Sequence, residues 1–142
     1  MLKNILNNRG MSLVETMVAL LILMVAFVSI VQTFPFSQSM VKTAENSTKA
    51  TYLAQNELEQ LLALSYGNIP VGTIEVKQRL SADSANYLYY FQRQTTVSYV
   101  DGDLESSVSD TGMKKISVTV YYTNSISKTE NSYNISALAS QR

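Results

Sequence analysis

The sequence predicts an α+β chain. One long N-terminal helix, half of it transmembrane and half amphipathic, should pack on a small antiparallel β-sheet. Three observations predict this. An apolar run extends from Met11 to Phe34 and is broken by few polar residues. A spacing of three and four then joins apolar and small residues from Met40 to Leu62. Beyond Pro70, four segments alternate with a period of two. A length of 142 residues suits one domain plus one membrane segment.

Composition removes several kinds of function. Lysine plus arginine equals aspartate plus glutamate, so formal net charge is zero. That gives no electrostatic case for a nucleic-acid partner. There is no cysteine and no histidine. Disulfides, thiol nucleophiles, imidazole acid–base chemistry and the usual zinc ligands are therefore absent. No nucleophile–base pair can be assembled, and nothing places a carboxylate pair in a cleft. The expectation is a protein that is not an enzyme, with no catalytic residue, cofactor or metal.

The apolar run comes first in the chain. From Met17 to Val31 only Ser29 is polar. As a helix, about 24 residues span roughly 36 Å, enough for a hydrocarbon core of about 30 Å. The leader "MLKNILNNRG" carries Lys3 and Arg9 and no acid. The positive-inside rule puts it in the cytoplasm and the rest of the chain outside. Three readings compete for this terminus. A cleavable secretory signal would need a small-x-small site, and only Ser37-Gln38-Ser39 fits, beyond Pro35. An uncleaved anchor explains length and orientation but gives no reason for Glu15. The third reading rests on the junction, where Gly10 is followed by "MSLVE" and then directly by the apolar helix. Ser12 and Glu15 also fit the S-x-x-E capping box, which would give Glu15 a purely local role.

Phe34-Pro35-Phe36 should interrupt the helix, since proline removes a hydrogen bond and kinks the axis. The pattern resumes with Met40, Ala44, Ser47, Thr51, Ala54, Leu58, Leu61 and Leu62 on one face. Gly67 reads as the C-terminal cap, and Pro70 forbids continuation. The whole helix would be about 55 residues, on the order of 80 Å.

The remainder reads as strands. "GTIEVKQRL" alternates Ile74, Val76 and Leu80 against Glu75, Lys77 and Arg79. "YLYYFQRQTTVSYV" puts Tyr89, Phe91, Val97 and Tyr99 on one face. "KKISVTVYY" does the same with Ile116, Val118, Val120 and Tyr122, and "YNISALA" with Tyr133, Ile135, Ala137 and Ala139. Such alternation suits an antiparallel sheet with one buried face. Leu58, Leu61 and Leu62 are its natural cover. The tyrosines read as half-buried sheet residues rather than a base-stacking platform, which would need basic interleaving that only Arg93 offers. The connection "DGDLESSVSDTG" holds Asp101, Asp103, Glu105 and Asp110. It lacks the full spacing of a calcium loop and reads as a solvated hairpin loop.

The junction "RGMSLVE" and the apolar helix behind it resemble a type IV prepilin signal. The resemblance implies cleavage between Gly10 and Met11 by a prepilin peptidase, and N-methylation of the new Met11 amine. It departs from the family at Met11, where phenylalanine is usual. It gives Glu15 a role in filament assembly, pairing with the first-residue amine of a neighbouring subunit. It divides the chain into a leader (1–10), a transmembrane and filament-core helix (11–36), an amphipathic stem (37–66) and a sheet head (67–142), a pilin-like architecture. Looser likenesses, in "TKATYLAQNELEQLLAL", "YYFQRQTTVSYV" and "MKKISVTVYY", are to PilV-type minor pilins and GspI-type minor pseudopilins. These imply a minor subunit that initiates, primes or caps a pilus. The alternatives are a minor pseudopilin of type II secretion, or a displayed adhesin or DNA-binding subunit. The implied partners are other pilins through the N-terminal helices, the inner-membrane assembly platform, and the lipid bilayer before assembly. The implied location is the inner membrane with the head outside the cytoplasm, then the filament.

Overall fold

A computed structural model describes residues 12–124 and 126–141. One helix, α1, runs from Leu13 to Leu62, and five strands follow. The chain divides after Gln38 into two compact units.

The described part of the first unit is helix alone. It is apolar on every side, and none of its most apolar stretch is buried. Leu13, Leu23, Met24 and Phe27 are each more than 60% exposed. The few hydroxyls are satisfied inside the helix. Ser29 Oγ donates to the Val25 carbonyl at 2.8 Å, and Thr33 Oγ1 to that of Ile30 at 2.7 Å. Back-bonding of this kind removes the cost of a bare hydroxyl in an apolar medium. Pro35 does not interrupt α1, contrary to the sequence expectation. A proline forfeits one backbone bond, and the intact turns on either side continue the helix.

The second unit packs the rest of α1 on a five-stranded sheet. The strands are β1 (Gly72–Arg79), β2 (Phe91–Val100), β3 (Ser106–Ser107), β4 (Met113–Thr123) and β5 (Glu130–Ser140). The order is β1-β2-β4-β5, with every pairing antiparallel. The short β3 pairs with the end of β2. The helix buries Ala50, Ala54, Leu58 and Leu61, a stripe at spacings of four and three. Leu62 and Met40, expected on this face, are exposed. Leu62 follows Leu61 by about 100° of helical turn, which carries it off the stripe.

Beneath the helix lie Phe91 and Val97 of β2, and Ile116, Val118, Val120 and Tyr122 of β4. Tyr133, Ile135, Ala137 and Ala139 of β5 share this face and are partly buried against the same core. β4 and β5 follow the alternation read from sequence, and β2 follows it as far as Val97, after which Val100 rather than Tyr99 is buried. β1 does not. Thr73 pairs with Thr96, but Glu75 pairs with Thr95, so Ile74 is an extra residue. A bulge of one residue exchanges the two faces of a strand. Glu75 therefore turns towards the helix side, while Ile74 and Val76 are exposed.

The helix also ends before Gly67. A 3-10 turn, Tyr66–Asn68, follows it and leads to the buried Ile69. Among the described residues the glycines with positive φ are Gly72, which opens β1, and Gly112, which precedes β4. Gly67 is not the left-handed cap that the sequence suggested. A second 3-10 turn, Tyr87–Tyr90, replaces the expected start of β2.

Candidate functional site

The first turn of α1 carries the residue that is least explicable by folding. The Ser12 carbonyl accepts from the Thr16 N–H at 3.1 Å, so Ser12 occupies the N-cap position. Thr16 Oγ1 donates to the Leu13 carbonyl at 2.8 Å. Glu15 lies in this turn, is exposed, and is the sole ionisable residue from Leu13 to Gln38. A carboxylate is electrostatically favoured at a helix N-terminus. Beside it stand the hydroxyls of Ser12 and Thr16, and beyond these Leu13, Val14 and Val18 are apolar and exposed, so the segment presents one acid on a largely hydrocarbon surface. Gly10 and Met11 lie outside the described residues.

The head uses its charges differently. Arg93 is held between two acids, one from each layer. Its Nη1 is 2.8 Å from Glu57 of α1, and its Nε is 2.6 Å from Glu75 of β1. All three side chains are at least four-fifths buried. Thr95, fully buried, donates its hydroxyl to Glu75 at 3.4 Å. Lys114 is 4% exposed and donates to the carbonyls of Tyr66 (2.8 Å) and Ile69 (2.9 Å). Its ammonium also sits 4.3 Å from the centre of the Tyr66 ring. The Tyr66 hydroxyl in turn donates to Asp110. Burial, and then that hydrogen bond, raise the Tyr66 phenol to about 12, while the same bond and the Gly112 N–H hold Asp110 below the usual carboxylate value. These charges tie one element of the fold to another.

Residues 5–31 match the model of the prokaryotic N-terminal methylation motif. The match contains Gly10, Met11 and Glu15 together with much of the exposed apolar helix. The chain carries a type IV pilin-like prepilin signal. No curated protein and no solved structure matches the chain. The prepilin signal supports a place among type IV pilins or pseudopilins. It implies processing by a prepilin peptidase and assembly with other pilins in general. It also agrees with the helix, which is long and apolar enough to cross a membrane near the N-terminus.

Behind the prepilin signal, the acidic loop after β2 is organised by its own backbone. The Asp101 carboxylate accepts from the N–H groups of Asp103 (3.0 Å) and Glu105 (2.9 Å). Leu104 adopts a left-handed φ of 66°, and β3 returns to pair with β2. Among the described residues no group of three or more acids is placed to hold a metal ion. Arg93, the one basic residue that sequence offered for stacking on nucleic acid, is committed to Glu57 and Glu75. Lys114 was missed altogether. The signal that could have found it is parity, because Lys114 continues the buried series of Ile116, Val118 and Val120 by one step of two.

Proposed function

We propose that the chain is a minor type IV pilin, a structural subunit that helps initiate, prime or cap a filament once its leader is removed after Gly10. The observation that carries this reading is one N-terminal segment in which Gly10–Met11, Glu15 and a helix apolar on all sides occur together. Cleavage creates a positive amine at Met11, and the peptidase methylates it. Before assembly the helix is held in the inner membrane with the head outside the cytoplasm. During assembly, driven by the inner-membrane platform, the helix leaves lipid and packs against those of other pilins. Glu15 then pairs with a neighbour's Met11 amine and fixes the axial register. The subunit has no chemistry of its own. The likeness in the stem and in β4 supports a minor rather than a major subunit.

The same likeness extends to minor pseudopilins of type II secretion, the competing assignment. Loss of the gene would then block release of an exported protein and leave surface pili intact.

The test compares Gly10→Leu and Glu15→Gln with wild type in membrane and sheared-filament fractions. Gly10→Leu should remain full length in the membrane, and the wild-type protein should begin at a methylated Met11. Glu15→Gln should insert and be cleaved normally but be lost from filaments. Leaving one partner of a buried ion pair alone costs about 3–5 kcal/mol, or about two to four powers of ten in incorporation. A terminus after Ser39, or failure of Glu15→Gln to insert, would overturn the assignment.

A further inference from the structure

The segment Tyr87-Leu88-Tyr89-Tyr90 does not enter the sheet. Asn86 caps it by accepting from the Leu88 N–H at 3.0 Å, and the 3-10 turn throws two tyrosines outward. Tyr87 is 53% and Tyr90 66% exposed, and Tyr52 of α1 is 65% exposed. Adjacent large aromatics left this open mark a surface built for contact. They border two adjoining cavities of about 290 and 380 Å³ that share Lys49 and Tyr87. The Lys49 ammonium stands 5.4 Å from the Tyr87 ring centre. Lys128 lines the larger cavity from the β4–β5 loop, with a left-handed φ of 58°. Glycine or asparagine would hold that conformation at lower cost. Strain tolerated to keep a lysine at a cavity wall points to use of its charge.

We propose that Tyr52, Tyr87 and Tyr90, with Lys49 and Lys128, form a binding cleft for an acidic glycan. The lining chemistry selects this class. A peptide strand would need a free main-chain edge, but the α1 backbone is paired within the helix and β2 is paired on both sides. Recognition must therefore run through side chains. Tyrosine faces suit the C–H face of a sugar ring. Asn46 and Asn124 line the larger cavity; Asn46 Nδ2 donates to the Thr123 carbonyl and Asn124 Oδ1 accepts from the Ile126 N–H, so it is Asn46 Oδ1 and Asn124 Nδ2 that suit the sugar hydroxyls. Among the described residues neither lining includes a carboxylate; the Lys49 ammonium is shared with Glu45, and Lys128 supplies the net positive charge. A sugar carboxylate matches that charge. Single-stranded nucleic acid fits less well, because it asks for a track of cations along its backbone. Here the chain's charges balance, and Lys49 is already paired with Glu45 at 2.5 Å. The cleft joins the stem helix to the sheet head and lies wholly within the second unit.

The test is titration of the full chain in detergent micelles with oligogalacturonate, a neutral maltooligosaccharide and a single-stranded oligothymidylate. Oligogalacturonate should bind best. Tyr87→Ala should weaken it by about tenfold or more, by analogy with the loss of one stacking face. Lys128→Gly should abolish the preference for the acidic over the neutral sugar. That variant relieves the left-handed strain, so its melting temperature should hold or rise and its loss of binding cannot be unfolding. Tighter binding of the oligothymidylate, no binding of any probe, or unchanged affinity in a folded Lys128→Gly protein would each overturn the proposal.

Discussion

Arg93 is the joint between the stem helix and the sheet, and Arg93→Met isolates its contribution. Methionine keeps an apolar stem and removes the fork. Glu57 and Glu75 are then left facing one another with no cation between them, each at least four-fifths buried. Breaking one partner of a fully buried pair costs about 3–5 kcal/mol. Partial exposure lowers this, and a loss of about 2–4 kcal/mol is expected. For a head of this size each kcal/mol moves the melting temperature by about 4–8 °C, so a fall of about 8–32 °C should follow. The assay is urea and thermal unfolding, by circular dichroism, of the fragment beginning at Ser37. The triple variant Glu57→Gln, Glu75→Gln, Arg93→Met should recover most of the loss, because it removes the stranded charges as well as their partner. Arg93→Met within about 0.5 kcal/mol of wild type, the range of an ordinary surface change, would refute the reasoning. So would a triple variant no more stable than the single one.

Lys114→Met should cost about 2–4 kcal/mol by leaving the Tyr66 and Ile69 carbonyls without their charged donor, whereas Lys115→Met on the opposite face should be nearly neutral in the same assay. Asp110, held low, stabilises the fold above its ordinary value of 3.8, and that stability should fade as pH drops through and below it. Tyr66, raised to about 12, contributes fully below pH 10, and its contribution should be lost between pH 10 and 12. Tyr66→Phe should flatten the pH dependence of the urea midpoint at both ends. The fragment beginning at Ser37 should be soluble and folded, whereas one beginning at Ser65 should aggregate on gel filtration, because it strips Ala50, Ala54, Leu58 and Leu61 from the sheet.

The regular parts of the fold were legible because one periodicity governed each of them. β4 alternates in sequence from Lys115 to Val120, and its burial alternates in step. The apolar run and Glu15 were equally legible, since a charge in a hydrocarbon stretch stands out without knowledge of any partner. β1 was misread for a definite reason. A bulge at Ile74 depends on how β1 meets β2, and nothing within "GTIEVKQRL" distinguishes the bulged register from the regular one. The consequence reached Arg93, whose acid partners come from α1 and the flipped face of β1. The tyrosine cleft was hidden in a similar way. "YLYY" has strand propensity, and only the Asn86 cap, a side-chain bond to the Leu88 N–H, diverts it into a turn.

The two parts of α1 make different demands, and the contrast explains why one sequence can run through both. After Gln38 the helix satisfies itself against its own sheet with a narrow stripe of Ala50, Ala54, Leu58 and Leu61. Before Gln38 it offers apolar side chains in every direction, and among the described residues of its own unit nothing covers them. A surface of that kind needs lipid or other helices, and it does not discriminate between axial positions, since sliding one apolar cylinder along another changes little. Glu15 is the sole ionisable group from Leu13 to Gln38 and so the group best able to break that degeneracy. Near the helix start it can remain hydrated at a membrane interface, where a charge costs less than at the centre. Once helices pack together, an unpaired carboxylate is costly in every register except the one that brings it to a cation. On the proposed reading, cleavage after Gly10 supplies that cation four residues before Glu15, and a single acid converts a slippery apolar contact into a defined step.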